Sequence, residues 1–200
     1  MRTIICLGDS LTQGADLDPS RTWPGLADNA LAGVAVVNQG IGGDTTGGML
    51  ARFPSVIVPA KPDLLLILGG SNDLWFGLDR RIIVANVYAL VSQARFHSIT
   101  PLVATPLPFV ADVVKAQPWL PPPGGYGVMA QELAALRTDL ARAAESSEVL
   151  CLDLYSRFCD ADGVVQSRFF LEDGVHPNYP GHQRIARALL AVMQGELLCG

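Results

Sequence analysis

A chain of 200 residues, 50% hydrophobic and 16% charged, suits one well-filled globular domain over 1–200 and excludes a disordered or low-complexity protein. A net charge of −5 lacks the clustered Lys and Arg that a nucleic-acid or membrane-surface partner would need. The longest apolar run, 64–68, is far too short to span a bilayer, so no stable membrane insertion is expected.

The chain enters its first apolar run at 4–7 almost at once. An export signal there would have to be a piece of the core, so a cytoplasmic location is the expectation. Further runs follow at 34–37, 64–68, 101–105 and 149–152. All five are continuously apolar rather than alternating, which is how strands covered on both faces read. Helical stretches fall between them. Thr22 can cap a helix that opens with Trp23-Pro24. Ile83, Val87, Leu90, Val91 and Ala94 mark one apolar stripe; Met129, Leu133, Leu136 and Leu140 mark a second; Ile185, Ala188, Leu189 and Val192 mark a third. Strand and helix in alternation predict a parallel, doubly wound sheet. The cysteines, Cys6, Cys151, Cys159 and Cys199, are not spaced as metal or redox pairs. Cys6 and Cys151 sit in apolar runs and are expected in the core.

One segment departs from this rhythm. Residues 105–127 carry Pro106, Pro108, Pro118, Pro121, Pro122 and Pro123, which forbid a long regular element. Phe109, Trp119, Leu120 and Tyr126 argue that it is ordered. It reads as a lid or pocket wall, with Phe109 and Trp119 as candidate substrate contacts, or as an oligomer contact.

Ligands in such a sheet bind beyond the carboxyl ends of the strands, at the switch point. For a strand order of 2-1-3-4-5 that point lies between the first and third strands. After the first strand comes Gly8-Asp9-Ser10-Leu11. After the second comes Gly40-Ile41-Gly42-Gly43-Asp44-Thr45. After the third comes Gly70-Ser71-Asn72-Asp73. Before the last helix comes Asp173-Gly174-Val175-His176. Singly, each is ordinary turn chemistry. Together they supply a hydroxyl, a base, a carboxylate and hydrogen-bond donors. A serine hydroxyl needs a base to become a nucleophile. Of the three histidines, His97 falls at the wrong edge of the sheet and His182 inside the last helix, where a surface or capping role is expected. His176 alone shares a turn with a carboxylate, and residues i and i+3 of a turn lie within about 7 Å. Asp173 could therefore orient its ring. The backbone N–H of Ser10, the N–H of Gly43 and the side-chain amide of Asn72 are candidate donors to a developing oxyanion.

In these four blocks, taken in order, the chain resembles the SGNH hydrolases, the GDSL-type esterases and lipases, most of all compact bacterial thioesterase and lysophospholipase members. The resemblance implies a flavodoxin-like three-layer α/β/α sandwich with a five-stranded parallel sheet ordered 2-1-3-4-5. It implies a catalytic Ser10-His176-Asp173 triad, an oxyanion hole of Ser10, Gly43 and Asn72, and no metal or cofactor. The substrate it implies is a small-molecule ester or thioester: acyl esters and lysophospholipids, or acetylated carbohydrates. The proline-rich segment has no counterpart among the blocks. Two other readings stay open. Asp9, Asp44, Asp73, Asn72 and His176 could form a metal-dependent phosphoesterase site, although such sites usually recruit several histidines. A nucleotide or flavin binder would share the architecture but lacks a phosphate-cradling glycine loop after the first strand.

Overall fold

The structure, a computed structural model, describes residues 2–14 and 17–195. Five strands are present: β1 (Arg2–Gly8), β2 (Val34–Gly40), β3 (Leu64–Leu68), β4 (Thr100–Ala104) and β5 (Leu150–Leu152). They form one parallel sheet in the order β2-β1-β3-β4-β5. Successive side chains on a strand point to opposite faces, so each face of this sheet gathers its own core. Ile5, Leu7, Leu65, Ile67, Val103 and Cys151 face one cluster. That cluster is closed by α3 (Thr46–Ala60), α5 (Arg80–Phe96) and α7 (Gly125–Ser146). Ile4, Cys6, Leu64, Leu66, Leu68, Leu102 and Leu152 face the other. There α2 (Trp23–Ala30) and α8 (Tyr179–Met193) cover the sheet. The result is the expected three-layer α/β/α sandwich.

The expected helical stripes face the core, Val192 at the end of the α8 stripe being only half-buried beside the buried Ile185, Ala188 and Leu189. Ile83, Val87, Leu90, Val91 and Ala94 on α5 are all interior, as are Met129, Leu133, Leu136 and Leu140 on α7. Thr22 caps α2 through a bond from the Gly25 N–H. Helix α3 has the same logic in Met49, Phe53 and Ile57, but Pro54 and Pro59 lie inside it. Proline in a helix interior usually signals its end. Three more helices are short: α1 (Ser10–Gln13), α4 (Ser71–Trp75) and α6 (Ala111–Val114).

Two features of the sheet place the site. Gly8 pairs with Gly40 on one side and with Leu68 on the other, so β1, β2 and β3 end at one level. Strand β2 reaches that level because it runs three residues beyond its apolar stretch, through Asn38, Gln39 and Gly40. Gly8 is needed there: a Cβ would stand 2.8 Å from the Leu68 carbonyl oxygen and collide with the Thr12 side chain. Helix α1 can therefore fold back over the strand ends.

The proline-rich segment has no long regular element between 105 and 124, but its last three residues belong to α7, which starts at Gly125. Residues 105–109 are buried rather than lid-like. No helix among the described residues is long and apolar enough to cross a membrane. Cys6 and Cys151 are buried as expected; Cys199 lies outside the described residues.

Candidate active site

Ser10 opens α1 directly beyond β1. Asp9 caps that helix, its Oδ1 accepting the Leu11 N–H at 2.9 Å. Gly14 closes it with an N–H donated to the Ser10 carbonyl at 2.9 Å. A four-residue helix held at both ends fixes the serine backbone.

The partner comes from the other end of the chain. In the turn before α8, Asp173 Oδ1 accepts the N–H groups of Val175 and His176, at 2.8 and 2.9 Å. Its Oδ2 lies 2.6 Å from His176 Nδ1. His176 Nε2 lies 3.0 Å from Ser10 Oγ. Burial raises the Asp173 carboxyl, but the bonds from His176 and the turn backbone outweigh it and hold the group below the usual carboxylate range. An ionised carboxylate only accepts. Nδ1 therefore carries a proton, and Nε2 faces the serine hydroxyl.

The other two strand ends supply donors. Gly43 has a left-handed backbone (φ 75°), with nothing within 4 Å of where a Cβ would sit. Asn72, in the first turn of α4, donates one amide hydrogen to the carbonyl of Asp44, the residue after Gly43, at 2.9 Å. Its neighbour Asp73 is fully buried. Its two oxygens accept the Thr46 N–H at 3.1 and 3.0 Å, and Oδ1 also accepts the Thr46 hydroxyl at 2.5 Å. Consecutive residues of α4 thus bolt the Gly43 loop beside Asn72. Arg52 of α3 ties the same loop to the strand ends. Its Nε bonds Asp44 Oδ2 at 2.8 Å, and its Nη2 donates to the carbonyls of Gly8 and Gln39 at 3.0 and 2.9 Å.

A family model described as "GDSL-like Lipase/Acylhydrolase family" matches residues 6–184, a span that holds all of these groups. The chain belongs to that family. Among its relatives, an arylesterase of Vibrio mimicus is 29% identical over 179 residues, 87% of this chain and 79% of that one. The esterase TesA of Pseudomonas aeruginosa is 29% identical over 188 residues, 92% and 84% of the two chains. Among solved structures, a G-D-S-L family lipolytic protein from Desulfitobacterium hafniense superimposes with a TM-score of 0.81. It is 21% identical and covers 96% of this chain and 99% of that one, a likeness of fold. The protein is thus a GDSL-type ester hydrolase.

Several groups around this GDSL site have surroundings that the sequence did not show. Asp9 is 1% exposed and its Oδ2 has no partner among the described residues. Burial pushes its carboxyl up to about 7; the Leu11 N–H and the charge of His176 pull it down, while Asp73 and Asp44 push it further up. His182 corrects the surface reading. It is buried, and its Nδ1 accepts the Trp23 N–H at 3.0 Å, so the helix end it caps is that of α2. Burial, aided by the charge of His176, lowers it to about 4 and keeps it neutral. Its signal was the α8 stripe: His182 stands three and seven residues before Ile185 and Leu189, on the same face. Arg52 had no such signal; on a helix carrying prolines it reads as a solvated charge. His97 caps the C-terminal end of α5, before β4 and away from the site, as expected.

The carboxylates of the metal alternative are engaged by protein groups: Asp9 by Leu11, Asp44 by Arg52 and Asp73 by Thr46. Among the described residues no three His, Cys, Asp or Glu side chains are grouped to hold a metal ion. Of the two candidate substrate contacts, Phe109 is buried against Tyr126, its ring centroid 6.4 Å away. Trp119 stands at the rim, its ring perpendicular to that of His176 at 6.4 Å between centroids.

Proposed function

We propose that this GDSL hydrolase is a serine esterase that cleaves small-molecule carboxylic esters, or thioesters on the same terms, through an acyl-enzyme. The observation that carries the reading is the hydrogen-bonded chain from Ser10 Oγ through His176 to Asp173, at 3.0 and 2.6 Å. His176 Nε2 takes the Ser10 proton as Oγ attacks the ester carbonyl. Asp173 holds the ring in the tautomer that can accept it and stabilises the imidazolium that forms. Negative charge gathers on the carbonyl oxygen. The donors for it are the Ser10 N–H, the Gly43 N–H and the Asn72 amide hydrogen not spent on Asp44. The imidazolium then gives its proton to the alkoxy oxygen, the alcohol leaves, and water repeats the cycle on the acyl-serine. Acyl esters, lysophospholipids and acetylated carbohydrates all present the ester this chemistry needs.

Ser10→Ala removes the nucleophile, so kcat for p-nitrophenyl acetate is expected to fall by at least on the order of 10³. Undiminished turnover by that variant would overturn the reading. A chain-length series of p-nitrophenyl esters beside acetylated sugars then ranks the substrate classes.

A further inference from the structure

Donors from three separate segments can serve one oxyanion only if they hold a fixed mutual geometry. A misplacement of about 1 Å can cost on the order of 10² in rate. Ser10 lies on α1, Gly43 in the loop between β2 and α3, and Asn72 on α4. None of these segments can keep its own place. The two helices have four and five residues, too few to be stable alone, and the Gly43 loop has no regular element. Their relative positions must be set from outside.

One guanidinium is linked to all three. Arg52 stands midway along α3, a helix of 15 residues anchored in the core by Met49, Phe53 and Ile57. Its Nε donates to Asp44 Oδ2 at 2.8 Å, one residue beyond Gly43. Its Nη2 donates to the Gly8 carbonyl at 3.0 Å, two residues before Ser10. The same nitrogen donates to the Gln39 carbonyl at 2.9 Å, where β2 gives way to the Gly43 loop. The link to Asn72 runs through Asp44, whose carbonyl accepts the Asn72 amide at 2.9 Å. Asp44 is confined from its other side by Gly48, where a Cβ would collide with Asp44 Oδ1.

Stability alone does not account for this arrangement. The side chains of Arg52 and Asp44 are only 13% and 10% exposed. A buried ion pair gives up hydration that the pairing only partly repays, and well-packed apolar side chains in its place are often as stable or more so. Arg52 also keeps Nη1 buried without a partner among the described residues, a further cost. What an apolar side chain cannot supply is direction. A guanidinium is a planar fork whose donors point at fixed angles. Building on the proposed serine-esterase reading, we infer that Arg52 is a positioning residue for the reaction: it sets the spacing of the Ser10 N–H, the Gly43 N–H and the Asn72 amide so that all three meet one oxyanion. It acts through Asp44 and the Gly8 and Gln39 carbonyls, not by contact with the substrate.

Lysine keeps the charge but replaces the fork by a single ammonium, so Arg52→Lys tests direction rather than charge. With p-nitrophenyl acetate, kcat is expected to fall by roughly tenfold to hundredfold, with KM within about twofold of the unaltered protein. A trifluoromethyl ketone, which Ser10 would convert to an oxyanion adduct, is expected to lose affinity by a similar factor. The deciding measurement repeats the substitution in Asn72→Ala. With one donor already gone, its alignment no longer matters, and Arg52→Lys is expected to lower kcat by only about threefold there. A further loss as large as in the parent would show that Arg52 and Asn72 act independently, and would overturn the assignment. So would a loss carried by KM. An unchanged kcat beside a lowered urea midpoint would also overturn it and leave Arg52 a stabilising residue only. Should Arg52→Lys not fold, Asp44→Asn decides on the same terms, because it weakens the same link from the loop side and keeps the carbonyl that Asn72 uses. Failure of the unaltered protein to hydrolyse the ester would instead count against the serine-esterase reading.

Discussion

Asn72 divides one amide between two tasks. The hydrogen bonded to the Asp44 carbonyl holds the side chain beside Gly43; the other hydrogen has no partner among the described residues. A donor that waits for charge to develop acts on the barrier rather than on ground-state binding. Asn72→Ala is therefore expected to lower kcat by about 10²–10³, roughly 2.7–4 kcal/mol of barrier, with KM little changed. Steady-state kinetics on a p-nitrophenyl ester decide it. A rise in KM at constant kcat would make Asn72 a residue that only shapes the Gly43 loop. Its neighbour Asp73 works in the opposite direction, inward. Its buried carboxylate is satisfied by the Thr46 N–H and hydroxyl, and Asn86 Nδ2 donates to the Thr46 hydroxyl at 3.0 Å. One step along α4 thus changes the job from facing the chemistry to anchoring the loop that faces it.

Among the elements, α1 depends most on others. It has only four residues, too few to be stable alone. Trp23 holds it from the side, donating its indole N–H to the Leu11 carbonyl at 3.0 Å, while the Trp23 backbone N–H is held by His182. A residue of α8 therefore supports, through α2, the helix that carries Ser10. His182→Leu keeps much of the bulk but leaves the Trp23 N–H buried without an acceptor. The expected loss is about 1–3 kcal/mol by urea unfolding, and His182→Asn, which keeps an acceptor, is expected to recover part of it. Equal stability of all three proteins would remove His182 from this support. The reach of sequence reasoning follows the same lines. Strands, stripes and the four blocks were legible because each rests on a short-range pattern: a continuous apolar run, a helical period, a turn. The pairing of Ser10 with His176 was legible because a doubly wound sheet sends every strand end to one rim. Helix α3 was hidden because Pro54 and Pro59 interrupt the pattern its buried Met49, Phe53 and Ile57 make. Arg52 and His182 were hidden because a charged or polar side chain on a helix is read as exposed until its partners are known. Those partners lie far off in the chain: Gly8 is 44 residues from Arg52, and Trp23 is 159 residues from His182.

At the scale of the whole molecule, two buried groups beside the site tilt stability with pH in opposite directions. Asp9 binds its proton up to about 7 in the folded chain, against an ordinary value of 3.8. Between those values the folded state holds a proton that the unfolded state releases, so raising the pH through this window costs stability. His182 titrates near 4 when folded, against an ordinary 6.5. There the unfolded state holds the extra proton, so raising the pH gains stability until about 6.5. From roughly 4 to 6.5 the two slopes oppose each other; above 6.5 only that of Asp9 continues. Asp9→Asn isolates it, because asparagine keeps the acceptor for the Leu11 N–H and cannot ionise. At about pH 4 the variant is expected to match the parent closely. By about pH 8 it is expected to be the more stable by about 2–4 kcal/mol, because each tenfold difference in proton affinity between the folded and unfolded chain is worth about 1.4 kcal/mol. Urea midpoints at about pH 4, 6 and 8 measure the divergence. A constant offset between the two proteins across that range would mean that Asp9 ionises in the folded chain as it does in water. Its buried Oδ2 would then have found a partner on folding, and the carboxylate beside Ser10 would carry full charge at neutral pH.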